Sequence, residues 1–402
     1  MRHTGRPAAR SRRVPAAALA AAVLTVALVA AACGSSGEPS GGPDRADAPP
    51  PVTSLAPSLD LEPVAETVVL APKLLLAAAP ERPPLRRFTM AAAGDLLIHT
   101  AVTRSAAAHA GGDGHDFRPM FDPVRDVIAG ADLALCHLEN PLSIDGGDLS
   151  SYPIFNAPFE LADGIAHAGF DGCSFASNHT YDRGEAGIDA SLGHLDRVGV
   201  GHAGAARTPE EAETIRVYDV DGIRVAHLSA TYGLNGFRLP AERPWRAELI
   251  DPDRLRGQAA RARAEGADVV LASLHWGNEY QRAPSAWQRD VAAALSTSPD
   301  IDFVIGHHAH VVQPVEQVGD LWVAFGLGNL LSNMLGADRQ DGVILRVTFV
   351  EERAGGFTVE AVEHLPTRVA VDDGHRIVPA PPDSWARTVE AMGPLATPIS
   401  GG

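Results

Sequence analysis

The chain has 402 residues, in which 50 aspartates and glutamates outnumber 33 lysines and arginines, and its formal net charge is −17. This surplus of negative charge argues against nucleic-acid binding, which needs basic patches to neutralise phosphates, and against electrostatic adhesion to anionic lipid. The three cysteines have no spacing typical of a cysteine-based metal site.

Residues 1–33 have the three parts of a secretory signal peptide: a basic start, an apolar run and small residues. The run ends in LVAAAC, which resembles a bacterial lipobox, so we predict that Cys33 is lipidated and becomes the mature N-terminus. Removing the five arginines of this segment changes the formal net charge from −17 to −22. We expect an extracytoplasmic lipoprotein on the outer face of the cell membrane; the alternative is plain cleavage and a soluble exported product.

The rest of the chain divides by composition into three parts. Residues 34–85 are rich in proline, alanine, glycine and serine, so they cannot bury enough apolar surface to offset their ordering entropy, and we predict a disordered tether. Residues 86–375 are numerous enough for one large domain with a sizeable core. Residues 376–402 are predicted to be a loose tail with one or two turns of helix.

Short apolar runs alternate with amphipathic patterns along residues 86–375, which predicts an α/β fold with largely parallel strands. Two segments break the alternation: strand-like runs joined by Asp221-Gly222 predict a hairpin, and residues 342–366 predict another. Mixed sheets are therefore expected, and two stacked sheets flanked by helices fit better than one doubly wound sheet. The predicted buried strands are RFTMAAAGD, ADLALCHLEN, FDGCSFASN, ADVVLASLHWG and IDFVIGHHAH.

Cys136 and Cys173 both lie inside apolar runs. We expect buried free thiols at these positions. A disulfide between neighbouring strands is the alternative in an exported protein.

Polar side chains gather at the C-terminal ends of several predicted strands. Because the carboxyl ends of strands in an α/β sheet border one crevice, these side chains are expected to converge. Carboxylates, amides and imidazoles together form a mixed nitrogen and oxygen ligand set that suits Zn, Mn or Fe. The candidates are Asp95, His99, Glu139, Asn140, Asn178, His179, His275, Glu279, His307, His308, His310 and Asn329.

Five sequence motifs occur in order at or near these strand ends: GDLLIH, LENPLS, ASNHTYDRGEAG, LHWGNEY followed by WQRDVAAAL, and VIGHHAHVVQPVE followed by GLGN. They resemble the motif series of the bacterial capsule-synthesis protein CapA family. That family is associated with poly-γ-glutamate synthesis and belongs to the calcineurin-like metallophosphoesterases. The resemblance covers roughly Phe88 to Asn333 and implies a four-layer core, with two sheets between helices and two divalent metal ions at the strand ends.

The resemblance also implies roles for individual residues. His179 would donate a proton or steady a phosphoryl oxygen, and His307 is left over as a neighbour of the ligands. The implied metal ligands are Asp95 and His310 for the first ion, Asn178, His275 and His308 for the second, and Glu139 as the bridge between them.

Three departures from the pattern of the metallophosphoesterase superfamily bear on hydrolysis more than on metal binding. The first motif normally has a histidine two residues after the aspartate, but His99 lies four residues after Asp95. The bridging residue is usually an aspartate, and Glu139 is one methylene longer. Thr180 stands where many members of the superfamily carry an acid.

Residues that support the ligands and bind substrate are predicted as well. Asp182 and Glu279 are candidates to orient histidine ligands, because a ligating imidazole normally donates its other N–H to an acceptor. Asp182 has an alternative role as a helix N-cap. At least one of three arginines near the motifs is expected to face the site and bind an anionic substrate: Arg183, Arg207 or Arg282.

Three functions follow from these patterns. The first is a CapA-like role in assembling or exporting an anionic cell-surface polymer such as poly-γ-glutamate. The second is a general extracytoplasmic phosphoesterase that acts on a nucleotide, a lipid-linked phosphate or a teichoic-type polymer. The third is a binding module for the polymer-synthesising membrane complex, without catalysis.

Overall fold

The computed structural model describes residues 85–399, so the predicted signal peptide, Cys33 and nearly all of the predicted tether lie outside the described residues. Fifteen strands occur in this range, and most of them are short. In chain order they are β1 (Arg87–Leu96), β2 (Leu133–Leu138), β3 (Gly172–Ser174), β4 (Gly201–Ala203), β5 (Arg216–Val220), β6 (Ile223–Thr231), β7 (Val269–His275), β8 (Phe303–His307), β9 (Val315–Val318), β10 (Leu321–Ala324), β11 (Asn329–Leu331), β12 (Asp341–Glu351), β13 (Phe357–Ala370), β14 (Arg376–Pro379) and β15 (Thr397–Pro398).

Helices connect the strands, and several begin at a side chain that accepts backbone N–H groups. Ser285 and Gln288 form a reciprocal capping box at the start of the eighth helix, and Asp251 caps the seventh. The helices described are α1 (Thr100–Ala110), α2 (Arg118–Phe121), α3 (Arg125–Ala129), α4 (Leu161–Ala168), α5 (Gly184–Arg197), α6 (Pro209–Glu213), α7 (Pro252–Ala264), α8 (Ala286–Leu295) and α9 (Pro382–Met392).

The first sheet has the strand order β14-β13-β12-β1-β2-β3-β4, and β11 and β15 pair with β1 and β13. Strands β1 to β4 are parallel, as the alternation of strands and helices predicts. The pairs β1–β12, β12–β13 and β13–β14 are antiparallel, so the sheet is mixed. The predicted hairpin of residues 342–366 is the β12–β13 pair.

The second sheet has the order β5-β6-β7-β8-β10-β9. Its centre is parallel, and an antiparallel pair closes each edge. The β5–β6 hairpin turns at Asp221 and Gly222, which have φ values of 49° and 81°. These left-handed conformations fit the Asp-Gly turn that the sequence predicts.

Three apolar clusters show that the two sheets are stacked between helices. One cluster lies between the first sheet and helices α1 to α5, the second between the two sheets, and the third between the second sheet and helices α7 and α8. Alternate residues of β1 serve two clusters, because Met90 and Ala92 face the other sheet while Ala91 and Ala93 face the helices. The prediction of a four-layer α/β fold with two mixed sheets is confirmed.

The segment predicted as a loose C-terminal tail contains regular structure. Strand β14 pairs with β13, α9 packs beside it, and β15 pairs with β13 at Glu363 and His364. The folded region therefore extends to residue 399 instead of ending at 375. Between residues 85 and 399, the structure has no helix with the length and apolarity needed to span a membrane.

The expectation of free thiols at Cys136 and Cys173 is wrong, because the structure joins them in a disulfide. The two residues are directly paired in the parallel β2–β3 ladder, and their Cα atoms are 4.4 Å apart. Neighbouring strands lie at this spacing, so register alone brings the two side chains together. Both cysteines are buried, as predicted.

Candidate metal centre

The predicted ligands from both sheets lie together at the C-terminal ends of parallel strands. Asp95 is the penultimate residue of β1, Glu139 follows β2 directly, and His275 ends β7. His308 and His310 follow β8, and Asn178 lies four residues after β3. All six are buried, with exposed fractions of 4% or less, in a polar hollow at the strand ends.

Their ligand atoms form two groups that share Glu139. Asp95, Glu139 and His310 offer one set of atoms within 4.8 Å of one another, and Glu139, His275 and His308 offer another. Glu139 Oε1 lies 3.5 Å from His310 Nε2 and 3.9 Å from His275 Nε2. Asn178 Oδ1 lies 2.8 Å from the same His275 nitrogen. The shared carboxylate has the position of a bridge between two ions.

Glu139 shows that this arrangement fits divalent cations. Its side chain is 0% exposed, and neither carboxylate oxygen has a hydrogen-bond partner among the described residues. Burial raises the pKa of Glu139 well above its usual value. Burial disfavours the charged form of a carboxylate that has no hydrogen bonds, whereas metal ions would supply the positive charge that favours it. The surrounding carboxylate, amide and imidazole donors suit Zn, Mn or Fe.

The backbone at this site is held in uncommon conformations. Six non-glycine residues between 85 and 399 have positive φ, and His308 (86°) and His310 (54°) are two of them. Asn235 and Tyr280, which border the same hollow, are two more. Such conformations cost about 1–3 kcal/mol each and persist where the surrounding structure enforces them, typically at functional sites.

Asp95 receives hydrogen bonds from the loop that carries the other ligands. The His308 backbone N–H donates to Oδ2 at 3.2 Å, His307 Nδ1 lies 3.1 Å from Oδ1, and His310 Nδ1 lies 3.1 Å from Oδ2. Burial acts to raise the pKa of Asp95, but the bonds from His307 and His310 outweigh it and hold that pKa below its usual value. Asp95 is therefore an anion that fixes the histidine loop.

His179 is oriented by Asp182. The His179 Nδ1 atom lies 2.7 Å from Asp182 Oδ2, which also accepts the Phe155 backbone N–H at 2.7 Å. Arg183, and not Asp182, is the N-cap residue of α5. Of the two roles predicted for Asp182, the structure therefore shows the contact with the histidine.

Three other candidates lie beside the clusters. Asn140 Oδ1 accepts the Ile98 backbone N–H at 2.8 Å and so ties the end of β1 to β2. The His99 Nδ1 atom lies 3.2 Å from the Asn333 backbone N, and His99 belongs to none of the ligand groups. Glu279 is exposed but lies close enough to His308 and His310 to form another potential group with them.

Two of the three predicted substrate-binding arginines pair with carboxylates outside the ligand clusters. Arg207 binds Glu211 and Asp196, and Arg183 lies 3.9 Å from Asp148. Arg282 lines a small cavity together with Asp341. None of them has a described contact with the ligand clusters.

Sequence reasoning missed His137, which forms a further potential ligand group with Asp95 and His307. Its Nε2 atom is 2.9 Å from His275 Nδ1, its Nδ1 atom is 2.7 Å from Ser174 Oγ, and its ring stacks on His307 at 4.0 Å. A polar residue two positions before Glu139 in an otherwise apolar strand was the available signal.

Loop residues at the mouth of the hollow were missed as well. Asn235 Oδ1 accepts a hydrogen bond from Asn178 Nδ2 at 3.2 Å, and Asn235 Nδ2 lies 3.3 Å from His179 Nδ1. The Tyr232 ring is 4.6 Å from that of His308, and the Arg339 guanidinium lies 5.1 Å from the Tyr280 ring. Loop spacing has no periodicity, so the sequence carried no signal for these residues.

Fold and site together define an α/β protein of two stacked mixed sheets whose strand ends present a buried carboxylate and histidine cluster suited to metal. The sequence model of the bacterial capsule synthesis protein PGA_cap matches residues 89–334, more than half of the chain. The chain belongs to this family, as its motifs predicted.

Curated relatives agree with this assignment. The capsule biosynthesis protein CapA of Bacillus anthracis is 25% identical over 254 residues, covering 61% of this chain and 60% of that protein. The PGA biosynthesis protein CapA of Bacillus subtilis is 24% identical over 270 residues, covering 65% and 67%. This chain therefore matches three fifths of the length of the first relative and two thirds of the second.

Among solved structures, an NAD nucleotidase from Haemophilus influenzae is 11% identical and gives a TM-score of 0.40, covering 80% of this chain and 58% of that one. Similarity at this level carries no inference about activity.

Proposed function

We propose that this protein is an accessory protein of anionic cell-surface polymer synthesis, of the poly-γ-glutamate type, and that it hydrolyses a phosphate ester at a two-metal site. The observation that carries the proposal is Glu139, a fully buried carboxylate without hydrogen-bond partners among the described residues, placed between two groups of metal-ligand atoms. Membership of the capsule synthesis family supports the cellular role.

Each ligand group would hold one of the two ions. Asp95, Glu139 and His310 would hold one ion, while Glu139, Asn178, His275 and His308 would hold the other. Bound divalent ions would acidify a water and supply positive charge for the phosphoryl oxygens. The ligands reside on strand ends and on a loop tied to Asp95, which limits how far they move during a reaction.

His179 handles a proton in this proposal. Asp182 accepts the hydrogen bond of the Nδ1 atom, so Nε2 is the nitrogen left to contact a substrate oxygen. The Phe155 backbone N–H holds Asp182 in place from the other side. The imidazole can then donate a proton to the leaving oxygen or steady charge on the phosphoryl group.

Export and anchoring belong to the same proposal. The predicted signal peptide and Cys33 would place the domain outside the cytoplasm on the outer face of the membrane, at the end of the tether of residues 34–85. An anionic polymer under synthesis or export is the substrate class that such a location favours, and the polymer-synthesising membrane complex is the expected partner.

The enzymatic part is tested with purified full-length mature protein loaded with Mn²⁺. Aryl phosphate monoesters and diesters are assayed with the wild type, Asn178→Ala and His179→Gln, and His167→Gln on the outside of α4 is the matched control. We expect turnover by the wild type and the control, and losses of about 10²-fold or more in the other two. Full metal content with no turnover of any ester would reject hydrolysis and favour the binding-module alternative.

The cellular part is tested by deleting the gene in the source bacterium and measuring cell-bound anionic polymer. We expect the amount of polymer to fall and to be restored by the wild-type gene but not by Asn178→Ala. Restoration by a Cys33→Ala gene whose product is released from the membrane would reject the role of the anchor.

A further inference from the structure

A second cavity lies away from the metal centre, at the edge where β4 of the first sheet faces β5 and β6 of the second. Its volume is about 110 Å³, and none of the candidate metal ligands lines it. We call it the edge cavity and define it by Arg216, His227, Ser229 and His202. A cavity of this size holds a ligand of a few heavy atoms, since about 150 Å³ accommodates benzene.

Two side chains of β6 that line the edge cavity each have a buried polar atom without a hydrogen-bond partner among the described residues. These atoms are His227 Nδ1 and Ser229 Oγ, on side chains that belong to residues only 1% and 4% exposed. The other ring nitrogen of His227 is engaged with Ser273 Oγ at 2.8 Å, which fixes the orientation of the ring. Buried groups of this kind normally have a hydrogen-bond partner, so the pair indicates a missing ligand.

Gly204 packs closely against Ser229 at one end of the edge cavity. Its φ of 99° is one that side-chain-bearing residues rarely adopt, and a Cβ at this position would lie 2.6 Å from Ser229 Oγ. A larger residue at this position would therefore clash with Ser229 and displace it.

Arg216 supplies the charge at the edge cavity. It is directly opposite His227 in the β5–β6 ladder, and its Nε donates to the His202 carbonyl at 3.3 Å. Burial, joined by the nearby charge of Arg216, lowers the pKa of His202 and takes that of His227 to about 3, so both imidazoles are neutral. Among residues 85–399, no carboxylate lies within ion-pair distance of Arg216.

The other charged residues that line the cavity are already paired. Glu211 binds Arg207, Glu248 binds Arg254, and Arg261 binds Glu213. One positive charge therefore remains uncompensated, which matches a monoanion better than a phosphate group of charge near −2. A guanidinium fork is also the preferred partner of a planar carboxylate.

We propose that the edge cavity binds a small monocarboxylate that also carries a hydroxyl or amide group. The carboxylate contacts Arg216, and the second group bonds His227 Nδ1 and Ser229 Oγ. This inference is independent of the proposed phosphoesterase activity.

The test is a titration of full-length mature protein with glycolate, acetate and inorganic phosphate, followed through the ring ¹⁵N signals of histidine. The His227 signal is assigned by its loss in His227→Gln. We expect a saturable shift of this signal with glycolate, weaker binding of acetate, and no comparable effect of phosphate.

Variants locate the site. Arg216→Gln should weaken glycolate binding about tenfold or more, since bonds to charged groups contribute about 1.5–3 kcal/mol. Arg224→Gln, an exposed arginine on β6, is the matched control and should bind like the wild type. Ser229→Ala keeps Arg216 and should reduce the preference for glycolate over acetate. This variant tests the proposed site even if Arg216→Gln fails to fold.

Three results would overturn the proposal. They are no saturable shift at His227 with any carboxylate, phosphate binding as tight as glycolate binding, and unchanged glycolate binding in a folded Arg216→Gln or Ser229→Ala variant.

Discussion

His137 Nε2 lies 2.9 Å from His275 Nδ1 beneath the candidate metal centre. Ser174 Oγ holds the other nitrogen of His137 at 2.7 Å, so the imidazole of His275 is turned with Nε2 toward Asn178 and Glu139. Substituting a group that orients a ligating imidazole typically lowers metal affinity by about 10–100-fold.

We therefore predict that His137→Phe lowers the affinity for the ion that His275 would hold by about 10–100-fold, because His275 loses its orienting partner. Competition with a chromogenic chelator measures this affinity. His167→Phe on α4 is the control, and it should leave the affinity unchanged. Equal affinities in wild type and His137→Phe would show that the contact has no role in metal binding.

Glu139→Gln is expected to have opposite effects on stability with and without metal. In chelator, the substitution removes a buried carboxyl group that has no hydrogen bonds and whose charged form burial disfavours, so the free energy of unfolding should rise by about 1–3 kcal/mol. With Mn²⁺ at about 100 times its dissociation constant, the wild type should gain about 2.7 kcal/mol and the variant less.

Urea unfolding in chelator and in Mn²⁺ measures both differences. A Glu139→Gln protein that is less stable than the wild type in chelator would mean that the carboxylate has a stabilising partner other than metal.

Asp182→Asn should reduce turnover more than substrate binding. The carboxylate orients His179 through a 2.7 Å contact and is not itself among the ligand groups. We expect kcat on aryl phosphates to fall by about 10²-fold, with KM changed by less than about threefold. Steady-state kinetics at full metal loading test this, and a change confined to KM would contradict it.

Acid should destabilise the fold through His364. Burial lowers the pKa of His364 to about 4, and neither ring nitrogen has a hydrogen-bond partner among the described residues. Because the folded pKa is below the unfolded value of about 6.5, the stability contributed by the neutral ring is complete above about pH 6.5 and is lost as pH falls toward about 4.

His364→Leu removes this dependence while keeping an apolar side chain in the core. The unfolding free energy of the wild type should fall by about 1.4 kcal/mol more per pH unit than that of the variant, between about pH 6 and pH 4. Urea unfolding across this range gives both slopes. Parallel slopes would contradict the assignment of a buried neutral histidine.

Much of the architecture was predictable because it depends on local patterns. The run RFTMAAAGD predicted β1, and Asp221-Gly222 predicted the β5–β6 turn from the backbone conformations that it favours. The polar residues that end β1, β2, β7 and β8 predicted a shared hollow, since parallel strands end at one edge.

The features that were missed depend on pairings distant in sequence. His137 resembles any strand residue until β7 places His275 against it, 138 positions away. Strands β14 and β15 are short and exist only by pairing with β13, so their segment resembled a tail. The disulfide depends on the register of β2 and β3, which the sequence of either strand does not specify.

The metal content of purified full-length mature protein, dialysed against Mn²⁺ or Zn²⁺ and then against metal-free buffer, tests the account most directly. Elemental analysis should find about two divalent ions per wild-type chain and fewer in Glu139→Gln, because this carboxylate belongs to both ligand groups. A folded wild-type protein that retains no divalent ion, or a Glu139→Gln protein with as much metal as the wild type, would contradict it.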